Sequence, residues 1–161
     1  VIDTNNFTNQ TGVRTFEAAA FLRRNGADVV RVRKLFRDDL DDYKAKAEAV
    51  REAEIFEGCF AISTCPSEGI ESPTVVGAQA ANELLDIAGM KASIVMTFYN
   101  NTIYLSARSI DEVNVQVMME KLGGGGHRTI AGAQLKDMSL EEARNRVKEV
   151  IRDMLEKGDI S

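Results

Sequence analysis

Ser93-Ile94-Val95-Met96-Thr97-Phe98-Tyr99, then Asn100-Asn101, then Thr102-Ile103-Tyr104-Leu105-Ser106-Ala107, is a β-hairpin written out in the sequence. Both flanks, Ser93 to Tyr99 and Ile103 to Ala107, carry β-branched and aromatic residues, and a pair of asparagines tolerates the positive φ of a two-residue turn. Outward from this hairpin, helices and strands alternate. Upstream, Cys59 to Thr64 predicts a strand, and Ser72-Pro73 predicts the cap and first position of an Ala-rich helix ending near Gly89. Downstream come a helix from about Glu112 to Leu122, the run Gly123 to Gly126 and a short strand around Ala133 to Leu135. The capping box Ser139-Leu140-Glu141-Glu142 then opens a C-terminal helix.

Nearer the N-terminus, Thr15 can cap a helix from Phe16 to about Asn25, closed by Asn25-Gly26, and Val29 to Leu35 is extended or a single helical turn. Asp38 opens a long helix with Leu40, Tyr43, Ala47 and Val50 at helical spacing, suited to connect two domains. The whole is an α/β chain. It opens on Val1-Ile2-Asp3, as though a strand had been cut, so it is expected to be an excised piece.

The 161 residues, 44% hydrophobic and 28% charged, describe a globular chain of one domain or one domain plus a fragment. No stretch approaches the roughly 20 apolar residues of a membrane span. Cys59 and Cys65 do not make a disulfide scaffold, their spacing fits no zinc site, and no signal peptide precedes them, so a reducing cytoplasm is expected. The net charge of -5 is local: Asp38 to Glu57 holds 8 acids against 3 bases, and the rest balances at 17 against 17. Arg14 to Arg37 is basic, with 7 bases and 2 acids, but a pI of about 5.0 argues against avid duplex binding.

Gly123-Gly124-Gly125-Gly126-His127-Arg128 is the strongest local signal. Four glycines remove every Cβ, so consecutive backbone N–H groups could turn toward one anion, with a short following helix adding its positive end and His127 at the rim. In that arrangement Gly125→Val is expected to damage binding more than Arg108→Ala or His127→Ala. The alternative is a flexible linker, although such linkers mix glycine with serine and have polar flanks. Ser106-Ala107-Arg108-Ser109 ends a strand, where Arg108 could bind phosphate in bidentate fashion with Ser106 and Ser109 beside it, or could pair with Asp111 or Glu112. Asp3 ends a buried strand and is a reasonable hard-metal ligand, but one carboxylate makes no site.

Together, Gly123 to His127 followed by Ala131-Gly132, the strand end Ser106 to Ser109 and the Asn114-Val115 helix start resemble the DHHA1 domain of DHH-family phosphoesterases. Asp3-Thr4-Asn5-Asn6-Phe7, Thr11-Gly12-Val13-Arg14-Thr15-Phe16 with Ala18-Ala19, and Gly26-Ala27-Asp28 resemble the tail of the catalytic DHH domain. The pattern is most similar to the membrane-anchored cyclic-di-AMP phosphodiesterases that carry degenerate PAS and GGDEF domains upstream.

The resemblance implies a central mixed sheet flanked by helices at 57–161, a connector helix at 38–56 and a DHH remnant at 1–37. It implies a parent enzyme at the cell membrane, with this part in the cytoplasm, hydrolysing cyclic-di-AMP to a linear dinucleotide. Two manganese ions would serve that enzyme, with Asp3 as one ligand and the others upstream, so this chain is expected to be inactive and to hold no complete cluster. Substrate contacts would fall on Ser106, Arg108, Ser109, Gly123, Gly124, Gly125, Gly126 and His127. The expected partners are a cyclic dinucleotide, the upstream DHH domain of the same chain and a second copy in a homodimer that covers apolar surface. Two alternatives stand beside this: a single-stranded nucleic-acid-binding module, poorly served by 6% aromatics and no tryptophan, and an oligoribonuclease and phosphoadenosine phosphatase of the same superfamily.

Overall fold

The computed structural model describes residues 40–110 and 112–158, so the expectations for the helix at Phe16, for Val29 to Leu35 and for Asp3 lie outside the described residues. The elements run α1 (Leu40–Arg51), β1 (Glu54–Phe56), β2 (Phe60–Thr64), α2 (Pro73–Leu85), β3 (Ala92–Tyr99), β4 (Thr102–Ser109), α3 (Val115–Glu120), β5 (Gly125–Gly126), β6 (Ile130–Lys136) and α4 (Leu140–Glu156). One six-stranded sheet forms in the order β1-β2-β3-β4-β6-β5. It is mixed, because β2 and β3 are parallel while every other pair is antiparallel. The parallel pair exists because α2 carries the chain back across the sheet between them.

The hairpin forms as its sequence predicts. Asn100 and Asn101 sit at φ 53 and 59, and full pairing from Ala92 opposite Ser109 to Tyr99 opposite Thr102 follows. Alternation along its strands then sorts residues onto two faces. Ile94, Met96, Ile103, Leu105 and Ala107 enter a core with Met118 and Met119 of α3 and with Ala143, Val147, Ile151 and Met154 of α4. Those four α4 residues recur at helical spacing, which gives the helix one apolar stripe. On the opposite face, Ala61 and Val95 meet Ala45 and Ala49 of α1 and Val76, Ala80, Ala81 and Leu84 of α2.

The capping box at α4 is present, the Ser139 hydroxyl accepting from the Glu142 N–H at 3.1 Å. Ser72 does stand as the N-cap of α2, with Pro73 following it, but its side chain makes no cap bond.

Two expectations change. α1 ends at Arg51, so Glu54 belongs to the edge strand β1 and the acidic run is shared between a helix, a turn and a strand. The buried face of α1 is also different: Ala45, Lys46 and Ala49 are buried, whereas Leu40 and Tyr43 are 66% and 65% exposed. Small residues win the inner face because they let α1 approach β2 and the small-residue face of α2, where Leu or Tyr would hold the elements apart. Two side chains from β2 and the residue after it then reach α1 carbonyls: Ser63 Oγ donates to Ala49, and Cys65 Sγ approaches the Ala45 oxygen at 3.8 Å.

Edge strand β1 is fastened to α4. Glu54 accepts from Lys148 at 2.7 Å and from Arg144 at 3.1 Å, and the Phe56 ring lies under Lys148 and Arg152. No helix among the described residues is long and apolar enough to cross a membrane.

Candidate functional site

Strand β4 positions the site. Its alternation sends Tyr104, Ser106 and Arg108 toward the α2 face and Leu105, Ala107 and Ser109 to the other. Cross-strand register places Ser106 opposite Gly132, and Gly132 opposite Gly125, so the serine and two glycines form one row across β4, β6 and β5. Beyond the cover of α2 this part of the sheet is open. A cleft of ≈ 540 Å³ lies there, lined by Ser106, Tyr104, Gly123, Gly124, Gln134 and Lys136, with Thr74 from the first turn of α2. Among the described residues its lining includes one charged side chain, Lys136, and no carboxylate.

The glycine run is built differently from a nest of free N–H groups followed by a helix. Gly123, at φ 84, is the left-handed stop of α3: its N–H donates to the Glu120 carbonyl at 3.1 Å, and the Gly124 N–H donates to Met119 at 2.8 Å. This is a Schellman-type end, which uses the first two N–H groups on the helix itself. Gly125 and Gly126 form β5 against β6, and the His127 N–H donates to the Ile130 carbonyl at 2.7 Å across the connecting turn. A hairpin therefore follows the run, because Ile130 to Lys136 completes the sheet beside β4.

Steric demand is also uneven along the run. A Cβ at Gly126 would stand 2.5 Å from Ala131 Cα, and one at Gly124 would strike β6, whereas one at Gly125 would meet nothing within 4 Å. Gly125 is not among the positive-φ glycines either. The expected severity of Gly125→Val on backbone grounds is thus overturned, and the strict positions are its neighbours.

Arg108 is half-buried. Its Nε donates to Asn82 Oδ1 on α2 at 3.0 Å, and its Nη1 donates to the Ala107 carbonyl at 2.9 Å. Burial pulls its pKa below the ordinary arginine value, though an arginine stays charged. The partner offered by sequence, Glu112, pairs with Lys91 at 3.3 Å instead, and Asp111 lies outside the described residues. No carboxylate pairs with Arg108 among the described residues. It lies two residues along β4 from Ser106, on the same face, but does not itself line the cleft.

Ser109 is not brought to this face. Its hydroxyl is buried and donates to the Val113 carbonyl at 2.6 Å, pinning the loop that leads into α3. His127 is exposed at the β5–β6 turn. Cys65 is buried, which pushes its thiol up to about 11, and Cys59 is half-buried. Among the described residues no group of three or more His, Cys, Asp or Glu side chains converges, so they do not fit the two-manganese centre implied above. Sequence reasoning missed Asn82, whose signal is an asparagine inside an Ala-rich helix, where it is a poor helix former. It also missed Gln134 and Lys136, which only the register of β6 brings into the cleft.

The family model described as the DHHA1 domain matches residues 58–156. The cyclic-di-AMP phosphodiesterase GdpP of Geobacillus thermodenitrificans is 43% identical over 159 residues, covering 98% of this chain and 24% of that protein. The cyclic-di-AMP phosphodiesterase PdeA of Listeria monocytogenes is 44% identical over 148 residues, covering 91% and 22%. The chain thus spans less than a quarter of the length of these relatives. Among solved structures, an exopolyphosphatase-related protein from Bacteroides fragilis superposes with a TM-score of 0.77 at 18% identity, covering 95% of this chain and 47% of that one. That likeness shows a shared fold.

Proposed function

The chain belongs to the DHHA1 domain family, and from that premise we propose that it holds the substrate of a phosphodiesterase that opens cyclic-di-AMP to the linear dinucleotide. One observation carries the reading: Arg108, half-buried and with no carboxylate on it among the described residues, shares a sheet face with Ser106, which lines a cleft that no described acid enters. A charge in that state favours an anion as its partner, and phosphate matches the planar guanidinium in bidentate fashion. The names of the two similar proteins supply the choice of cyclic dinucleotide.

In this reading Arg108 and Ser106 hold a phosphodiester oxygen, and the bare backbone of Gly125 leaves room for the ligand to approach the sheet. His127 donates from the turn, Lys136 adds positive charge, and Ser109 acts as a support. Orienting the phosphodiester is the contribution of the described residues, since holding it in a reactive geometry is itself a large share of catalysis. The two manganese ions, with Asp3 as one ligand, belong to a DHH part of the same protein. The parent enzyme would sit at the membrane with this part on its cytoplasmic side.

Calorimetric titration of the chain with cyclic-di-AMP tests the proposal. Saturable binding that Arg108→Ala weakens is the expected result. Absence of binding, or tighter binding of a single-stranded oligonucleotide that persists at high salt, would replace this reading by a different one.

A further inference from the structure

Of the five N–H donors of a guanidinium, the Arg108 group uses two, Nε to Asn82 and one on Nη1 to Ala107, which leaves three. An arginine placed for structure alone is ordinarily paired with a carboxylate, because an uncompensated charge removed from water is costly. Two described carboxylates close to these residues in sequence are engaged elsewhere: Glu83, next to Asn82 on α2, lies 3.9 Å from Lys46, and Glu112 lies 3.3 Å from Lys91. At the α2 position that hydrogen-bonds Arg108 stands a neutral amide. Since Nε–H can only donate, it is the amide oxygen that faces it.

We propose that Asn82 is a positioning residue, whose neutral oxygen fixes the Arg108 guanidinium through Nε while leaving its positive charge for a phosphate group of the ligand. This rests on the reading above, in which Arg108 holds phosphate, and adds the residue that sets how it does so. An aspartate in the same place would keep the shape and the hydrogen bond but neutralise the charge. An alanine would keep the charge but release the geometry.

The test compares Asn82→Asp, Asn82→Ala and the unsubstituted chain by ligand-free thermal melting and by calorimetric titration with cyclic-di-AMP. Asn82→Asp is expected to melt at or above the unsubstituted chain, because it pairs a half-buried charge, and yet to bind roughly tenfold or more weakly. Asn82→Ala is expected to bind more weakly as well, with a lower melting temperature. A purely structural asparagine would differ in affinity, which Asn82→Asp would leave unchanged, and that result overturns the proposal. A melting temperature for Asn82→Asp well below the unsubstituted chain overturns it too, since Arg108 would then not have been uncompensated. Failure of the unsubstituted chain to bind removes the function proposed above, and the ligand-free comparison still decides whether Asn82 leaves the charge open.

Discussion

Gly124 lies against Gly132 with no room for a side chain between them. A Cβ added at 124 would stand 2.7 Å from Ala133 Cα and closer still to the Gly132 carbonyl oxygen, while one added at 125 would meet nothing within 4 Å. Two adjacent glycines therefore serve different ends, one fixed by packing and the other free of it. Gly124→Ala is expected to cost about 1–3 kcal/mol in urea unfolding, as overpacking does. Gly125→Ala is expected to leave stability within about 1 kcal/mol of the parent while weakening cyclic-di-AMP binding.

Arg108→Ala removes a charge-assisted contact to phosphate and is expected to cost about 1.5–3 kcal/mol of binding free energy. His127→Ala, at an exposed turn, is expected to weaken binding with no change in melting temperature. Calorimetry alongside melting curves checks both, and unchanged affinity in the pair would return these residues to structural roles.

Ser63 caps the end of α1. The Ala49 carbonyl lies in the last turn, where the Ala53 N–H donates to Val50 instead, so the buried Ser63 hydroxyl supplies its hydrogen bond. Ser63→Ala leaves that carbonyl unsatisfied and is expected to destabilise the fold by about 1–3 kcal/mol in urea. Ser63→Cys is expected to recover little, since a thiol is a weak donor.

Glu54 has a pH signature. The hydrogen bond from Lys148, with Arg144 alongside, holds its carboxyl below the ordinary value of 4.5. The pairing stabilises the fold above that value and is lost as pH falls through the lowered folded-state pKa. With its side chain 40% exposed, the effect is discounted for solvent screening to about 0.2–1 kcal/mol. Glu54→Gln is thus expected to be slightly less stable at pH 7 and to converge with the parent in acid, as urea midpoints across pH would record.

Where a local rule fully determined an element, the sequence was enough. Asn100-Asn101 between two β-rich runs left one turn geometry available, and Ser139 with Glu142 left one helix start. Boundaries drifted where tertiary pairing decided them: β6 runs from Ile130 to Lys136, beyond the expected Ala133 to Leu135, because β4 offers a partner along that whole length. Strand β1 was illegible, since Glu54-Ile55-Phe56 is too short to show a period and is held by α4 from 90 residues away. The face of α1 was misread because hydropathy favours Leu40 and Tyr43, whereas close approach favours Ala45 and Ala49.

By itself the sequence determined the α/β class, the hairpin and the Ser139 helix cap, because residue type and spacing encode backbone geometry over a few residues. Only the tertiary structure decided that Ser106, Gly132 and Gly125 share a row, that Ser109 faces away from it and that Asn82 grips Arg108. Those relations depend on strand register and on how α2 crosses the sheet. A one-residue slip would send every side chain of β4 to the other face, and what fixes the register is the fit of two cores on either side of the sheet, not any local run of residues.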